Sequence, residues 1–367
     1  MTHPKKVSII GAGNGGIVSA CHFRKYCPDL EIEINYAPKK HPIESVGVGT
    51  TYGVARLISE VLDFNWFRPI ADQTFKTGNV FKDWGKKKTF IFSDFANSTD
   101  IAFHYNPHKL SYELIESKKF NAVHREIIDP ENEIDADLII DCRGRKEIDK
   151  ENILPIINPI NAALISSHPV DFLDSHFTSS VATPNGWTFI IKLHDKISVG
   201  YLYNKHITSK EDAEQDFKER FNVHGVELAL DIDNYYSKNA FINERTLLNG
   251  NQYGFIEPLE ATATGIYQYV ASCGYDYLFN DMSKSKCNDN IIKNIKEIET
   301  FILWHYQFGS QSDTPFWEYA KSLKFNPDTR FFDMIDFSKR ENYALINNDY
   351  GQWGTHSFKK WREGVEV

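Results

Sequence analysis

The stretch Lys6-Val7-Ser8-Ile9-Ile10-Gly11-Ala12-Gly13-Asn14-Gly15-Gly16 decides the fold of this chain. Its first five residues form an apolar strand candidate, and the glycine cluster follows without a spacer. A helix is expected from about Ile17 to Tyr26, where Pro28 stops it, and Glu31–Tyr36 alternates polar and apolar residues as a second strand. Strand, glycine loop, helix and strand in that order lift Gly-x-Gly-x-x-Gly above a chance match. Gly11 serves a tight turn, Gly13 a close backbone approach to a pyrophosphate, and Gly16 the packing of helix on strand. The helix N-terminus then offers unpaired N–H groups and a positive dipole end to phosphate. The expected class is α/β with a Rossmann-type dinucleotide site; a glycine turn without a ligand is the alternative. About 20 residues past such a loop an acidic residue usually holds the ribose hydroxyls. Here Tyr36 stands at that place, after Asn35, and its phenol can still hydrogen-bond a ribose. The loop alone does not separate FAD from NAD.

A net charge of −9 argues against a surface that neutralises phosphates, so no nucleic-acid partner is expected. No apolar run approaches the ~18–20 residues that cross a bilayer, so no membrane partner is expected either. A strand begins directly after Met1–Lys6, which leaves no room for a signal or transit peptide. Five cysteines, Cys21, Cys27, Cys142, Cys273 and Cys287, show no C-x-x-C spacing. They read as reduced, buried thiols of a cytoplasmic protein, with no metal site.

Further along, Val46-Gly47-Val48-Gly49-Thr50-Thr51 precedes a helical pattern through Val54, Leu57 and Val61. Asp137–Asp141 is a short buried strand, and two β-rich runs from Trp187 to Tyr203 flank His194-Asp195-Lys196 as a hairpin. Residues 121–136 are short for two strands and a connection. Beyond about Asn288 the pattern is helical, up to an irregular tail after Tyr343. The segments look interleaved into one body.

Phe255-Ile256-Glu257-Pro258-Leu259-Glu260-Ala261-Thr262 resembles the F-x-E-P-L-E-[SA]-T signature of the flavin-dependent halogenases, the tryptophan halogenase family. Other segments agree in order: the glycine loop, Gly47-Val48-Gly49, Thr74-Phe75-Lys76 with Phe81 and Trp84 behind it, Ala136–Cys142, and His305-Tyr306 followed by Asp313-Thr314-Pro315-Phe316-Trp317. The resemblance implies a Rossmann-type FAD-binding domain of the flavin monooxygenase/halogenase kind with a mostly helical substrate-covering part. Residues 1–280 would be the FAD-binding body, with interleaved substrate-site segments, and residues 281–367 the helical part. It also implies FAD, used as FADH2 from a separate flavin reductase, and a halide co-substrate. Gly11, Gly13, Gly16, Tyr36, Val48, Gly49, Gly254 and Pro258 would hold the cofactor.

The implied reaction generates hypohalous acid, which must be guided through a dry passage to an electron-rich aromatic or heteroaromatic, indole-like substrate. Lys76 matches the family's catalytic lysine and Glu260 the carboxylate beside it. Burial would lower the lysine pKa. Glu260 could polarise the halogenating species and accept the ring proton. The plain alternatives are a solvated surface lysine and a helix-start carboxylate beside Pro258. Thr262 and Ala263 are the halide candidates, since a small anion suits a hydroxyl and N–H groups at a helix start; Thr264 competes with Thr262. His305, Tyr306, Phe316 and Trp317 match substrate-contacting positions, while Phe316 and Trp317 could equally be core residues.

The chain departs from the pattern in places. W-x-W-x-I-P appears as Trp187-Thr188-Phe189-Ile190-Ile191-Lys192, and the Gly-Asp element that usually precedes the F-x-E-P-L-E segment is absent, Asn249-Gly250-Asn251-Gln252-Tyr253-Gly254 occupying that stretch. Ala261 replaces a common serine. A single-component flavin monooxygenase and a non-catalytic FAD-binding homologue are the rival readings. Homo-oligomerisation is left open.

Overall fold

The structure, a computed structural model, describes residues 4–37, 46–64, 68–94, 102–145, 149–170, 175–340 and 349–365. Five strands run parallel in the order Thr246–Leu248, Leu138–Asp141, Lys6–Ile10, Glu31–Tyr36 and Asn121–His124. Val7, Ile9, Ile32, Ile34, Leu138 and Ile140 are at most 1% exposed, as expected of parallel strands covered on both faces. The glycine-loop helix is Asn14–Tyr26 and starts before the expected Ile17. Gly15 and Gly16 are poor helix formers, so propensity hides a first turn that tertiary packing stabilises. Helix Ala263–Phe279 packs along this helix.

A second, seven-stranded sheet has the order Leu228–Asp231, Ala162–His168, Ile197–Tyr203, Gly186–Lys192, Phe177–Thr183, Gly78–Lys82 and Thr89–Asp94. The expected hairpin is present: Gly186–Lys192 pairs antiparallel with Ile197–Tyr203, and the Leu193 N–H donates to the Lys196 carbonyl at 2.8 Å. A small third sheet has Ala102–Tyr105 at its centre, flanked by Val48–Gly49 and Thr74–Lys76. Residues 121–136 contain one strand and the single-turn helix Pro130–Glu133, not two strands.

The C-terminal region corrects one expectation. Helices Lys284–Phe308, Pro315–Ser322 and Thr329–Ser338 are as anticipated. The tail, expected to be irregular, forms a hairpin, Asp349–Tyr350 with Trp353–Gly354, and then helix Thr355–Val365. Residues 341–348, in the first part of that tail, lie outside the described residues. The last helix is amphipathic, with Phe358, Trp361 and Val365 buried at helical spacing. One apolar core joins Val7 of the parallel sheet to Trp361 and Val365 of this helix. All five cysteines are free thiols. Among the described residues no helix is long and apolar enough to cross a membrane.

Candidate active site

The glycine loop has the shape its sequence anticipates. Gly11 has φ +100°, and a Cβ there would lie 2.7 Å from the Cys142 carbonyl oxygen. A Cβ at Gly16 would lie 1.9 Å from the Gly11 oxygen, so helix and loop touch backbone to backbone. Gly13 differs: a Cβ there meets nothing within 4 Å. Gly13 is the N-cap of the helix, without a side-chain cap or an acidic residue in the first turn. An open glycine at an uncapped helix N-terminus fits a dinucleotide phosphate. Tyr36 ends the neighbouring strand, half-buried, its ring 5.3 Å from that of His124. Gly11 N–H donates to the Asn35 carbonyl at 2.7 Å, which sets Tyr36 beside the loop.

The stretch that lacks the Gly-Asp element begins against the same loop, at Asn249-Gly250. A Cβ on Gly15 would lie 2.7 Å from Gly250 Cα. The Asn249 amide donates to Ser19 Oγ at 2.9 Å and to the Tyr267 carbonyl at 3.0 Å, tying the two long helices together. From here the chain enters strand Gly254–Phe255, where the Arg145 guanidinium lies 4.1 Å over the Phe255 ring, and then the Pro258–Thr262 turn.

The small sheet brings the strap, the lysine and this turn together. A Cβ on Gly49 would sit 3.4 Å from Lys76 Nζ, 3.6 Å from His104 Cδ2 and 3.7 Å from Ala261 Cβ. The central strand also reaches the glycine loop, because Tyr105 donates to Asn14 Oδ1 at 2.7 Å. Lys76 is 4% exposed, so it is not a solvated surface lysine, and its ammonium donates to the Thr50 carbonyl at 3.1 Å. Burial lowers its pKa below the ordinary lysine range, and the Glu260 charge pulls it partly back. Burial raises the Glu260 pKa, opposed by Lys76 and by weak contacts from Trp353 Nε1 at 3.4 Å and Asn79 Nδ2 at 3.5 Å. Its Oε1 is enclosed without a hydrogen-bond partner. Glu260 and Ala261 both have positive φ, 67° and 55°, a conformation L-residues rarely adopt. Val48 and Gly254 are half-buried, and Pro258 is exposed.

Thr262 begins helix Ala263–Phe279, is 1% exposed, and its hydroxyl has no partner. An unpaired buried hydroxyl at a helix N-terminus fits a small anion. Thr264 Oγ1 is equally unpaired, so the two threonines are not separated on this ground. Ala263 is half-buried between them.

Glu257 is fully buried and accepts three side-chain hydrogen bonds: Trp187 Nε1 at 2.9 Å, Asn158 Nδ2 at 3.0 Å and Tyr306 Oη at 2.5 Å. Burial pushes its pKa up to about 7 despite these donors. Trp187 and Phe189 share one strand face, both buried. Tyr306 is thus tied into this buried network, and its three companions are equally enclosed. His305, Phe316 and Trp317 have no exposed surface; Trp317 Nε1 donates to the Thr183 carbonyl at 2.7 Å, and His305 stacks on Trp361 at 3.9 Å. Substrate contact from these four side chains has no exposed surface to support it in this packing. The residues the sequence reading missed are His104, Asn79 and the hairpin pair Gln352 and Trp353. Gln352 donates to the Thr262 carbonyl at 2.9 Å. A Gly351 between Tyr350 and Trp353 was the available hairpin signal.

Residues 6–113 and 112–361 match the sequence model of the tryptophan halogenases. Tryptophan 7-halogenase RebH of Lentzea aerocolonigenes is 26% identical over 208 residues, which cover 52% of this chain and 39% of that protein. Tryptophan 6-halogenase ThaL of Streptomyces albogriseolus is 27% identical over 216 residues, again 52% and 39%. The matched part is about two fifths of the length of these relatives. Among solved structures, the flavin-dependent halogenase Xcc4156 of Xanthomonas campestris has a TM-score of 0.81 at 17% identity, covering 100% of this chain and 89% of that one. MibH, a lanthipeptide tryptophan 5-halogenase, has a TM-score of 0.81 at 18% identity, covering 100% and 86%. At that identity the structural likeness speaks for the fold, a Rossmann-type α/β body with helical additions. With the family model matched along almost the whole length, the chain belongs to the tryptophan halogenase family.

Proposed function

We propose that this chain is a flavin-dependent halogenase acting on an electron-rich aromatic or heteroaromatic, indole-like compound. The observation that carries the reading is the buried Lys76 beside the Gly49 strap and Ala261, interacting electrostatically with Glu260, whose Oε1 is enclosed next to the Thr262 helix start. Gly11, Gly13 and Gly16 would hold the FAD phosphates, with Tyr36, Val48, Gly49, Gly254 and Pro258 along the rest of the cofactor. Reduced FAD, delivered by a separate flavin reductase, would supply hypohalous acid from oxygen and halide. Lys76 donates a hydrogen bond to hypohalous acid and aims its halogen at the ring. Glu260 accepts the proton leaving the attacked carbon, so that HOX and Ar–H become Ar–X and water. Enclosure keeps bulk water from both groups and strengthens their interaction. Thr262 and the N–H groups from Ala263 onward would hold the halide. Helices within residues 281–367 would cover the substrate side of the site, with His305, Tyr306, Phe316 and Trp317 stiffening its aromatic wall.

The test is incubation with a flavin reductase, FAD, oxygen, and chloride, bromide or iodide, over a panel of indoles and phenols, read by halogen isotope pattern. A halogenated product that Lys76→Ala abolishes while FAD binding persists is the expected result. Oxygenated products alone, or no dependence on Lys76, would overturn the assignment.

A further inference from the structure

We propose that Glu257 is a positioning residue that sets the catalytic turn, and that Trp187, Asn158 and Tyr306 act on the reaction through it. This rests on the reading of Lys76 and Glu260 as the reacting pair. Three segments distant in sequence converge on this one side chain. Trp187 comes from the hairpin strand Gly186–Lys192, Asn158 from the segment before strand Ala162–His168, and Tyr306 from the long helix Lys284–Phe308. The Glu257 backbone N–H donates to Asn234 Oδ1 at 2.8 Å, a fourth tie at the same residue. Both carboxylate oxygens are engaged, Oε2 by Trp187 and Oε1 by Asn158 and Tyr306.

The placement of this hub gives it a function. Glu257 immediately precedes Pro258, and the turn that follows carries Glu260 and Ala261 at positive φ. Two adjacent L-residues in that conformation persist only when the surroundings over-determine them. Upstream of the turn Glu257 is the anchor; downstream Gln352 holds the Thr262 carbonyl at 2.9 Å. Between these anchors, among the described residues, the Glu260 carboxylate has two long hydrogen bonds, at 3.4 and 3.5 Å, and an Oε1 without a partner. Its aim toward Lys76 is therefore set by the backbone, and the backbone is set by Glu257. The two glutamates stand three residues apart, yet one is held by the core network and the other interacts electrostatically with Lys76.

The test uses Glu257→Ala, the milder Tyr306→Phe, and Glu257→Gln, which keeps one acceptor oxygen. Folding is checked by circular dichroism and FAD binding by flavin fluorescence. The first readout needs no turnover and no reagent access: the pH midpoint of the Lys76 side chain, followed by NMR of lysine labelled with 13C at Cε and assigned with Lys76→Arg. Glu260 raises the lysine pKa, so a displaced carboxylate lowers that midpoint, with the neutral His104 as its remaining close titratable neighbour. The expected order of the downward shift is Glu257→Ala, then Glu257→Gln, then wild type, with Tyr306→Phe moving the same way. The second readout is a kcat loss of at least ~10-fold in Glu257→Ala with KM for the aromatic substrate nearly unchanged. A folded Glu257→Ala or, where that variant does not fold, a folded Tyr306→Phe with the wild-type midpoint overturns the proposal. Absence of halogenated product from the wild type would count against the halogenase reading alone, since the Lys76 titration midpoint still reports on the turn.

Discussion

Replacing either of two loop glycines by alanine separates stability from cofactor affinity. At Gly16 the new Cβ would lie 1.9 Å from the Gly11 carbonyl oxygen, and neither atom belongs to a side chain that could rotate away. Overpacking of this kind sits at the top of the usual range, about 3 kcal/mol. Alanine returns about 1 kcal/mol of helix propensity, leaving a net destabilisation of roughly 2 kcal/mol. For a chain of this size that is a fall in Tm of about 3 °C. At Gly13 the Cβ meets no protein atom within 4 Å, and φ −73°, ψ −172° is open to any L-residue. The weaker N-cap costs a few tenths of a kcal/mol, offset by the stiffer unfolded chain, so stability stays within about 0.5 kcal/mol. The methyl group would instead occupy the approach of the pyrophosphate, and the FAD Kd should rise at least ~10-fold, about 1.4 kcal/mol. Circular dichroism melts and a flavin fluorescence titration on both variants decide it. A Gly13→Ala protein with wild-type FAD affinity, or a Gly16→Ala protein with a wild-type melt, would refute the assignment of these two roles.

Thr262→Val removes a buried hydroxyl that has no protein partner. Thermal stability should be unchanged or slightly higher, while the halide KM rises several-fold; an unchanged halide KM would shift the assignment to Thr264. Trp353→Phe keeps the stack on Phe301, now at 4.0 Å, and removes the N–H donated to Glu260. That donor favours the ionised carboxylate, so its loss raises the Glu260 pKa and moves the acidic limb of the kcat profile to higher pH; an unmoved limb makes the contact incidental. Glu257 has a folded-state pKa raised from 4.5 to about 7. The native state therefore binds more protons between those values, and stability falls as pH rises through that window, by roughly 3 kcal/mol in all. Urea melts of wild type and Glu257→Gln across pH 4.5 to 7 should show that the difference in slope disappears in the variant.

The halogenase resemblance and the Rossmann unit were legible because both are local. The strand, glycine loop and second strand are contiguous, and Gly11, Gly13 and Gly16 each answer a backbone requirement visible without a neighbour. Lys76 and the Glu257–Thr262 segment were legible as motifs too. Less visible was the start of the glycine-loop helix at Asn14, since Gly15 and Gly16 argue against a helix until packing is counted. The C-terminal hairpin and last helix were also missed: Asp349–Gly354 is stabilised by contacts with the long helix, such as Gly351 N–H donating to Glu297 Oε2 at 2.7 Å.

By itself, the sequence determined the fold class, the nucleotide loop and which residue types could carry the chemistry, because backbone geometry and side-chain chemistry are properties of short segments. Only the tertiary structure decided which partners each glutamate and each aromatic residue has. Two carboxylates in one motif differ through neighbours brought from afar: Lys76, Asn79 and Trp353 for Glu260, and Trp187, Asn158 and Tyr306 for Glu257. Tyr306 and Trp317 resembled substrate contacts in the sequence, and the fold gave their polar atoms to a carboxylate and a carbonyl inside the core. Burial and hydrogen-bond partners depend on the whole chain, and they set both charge state and role.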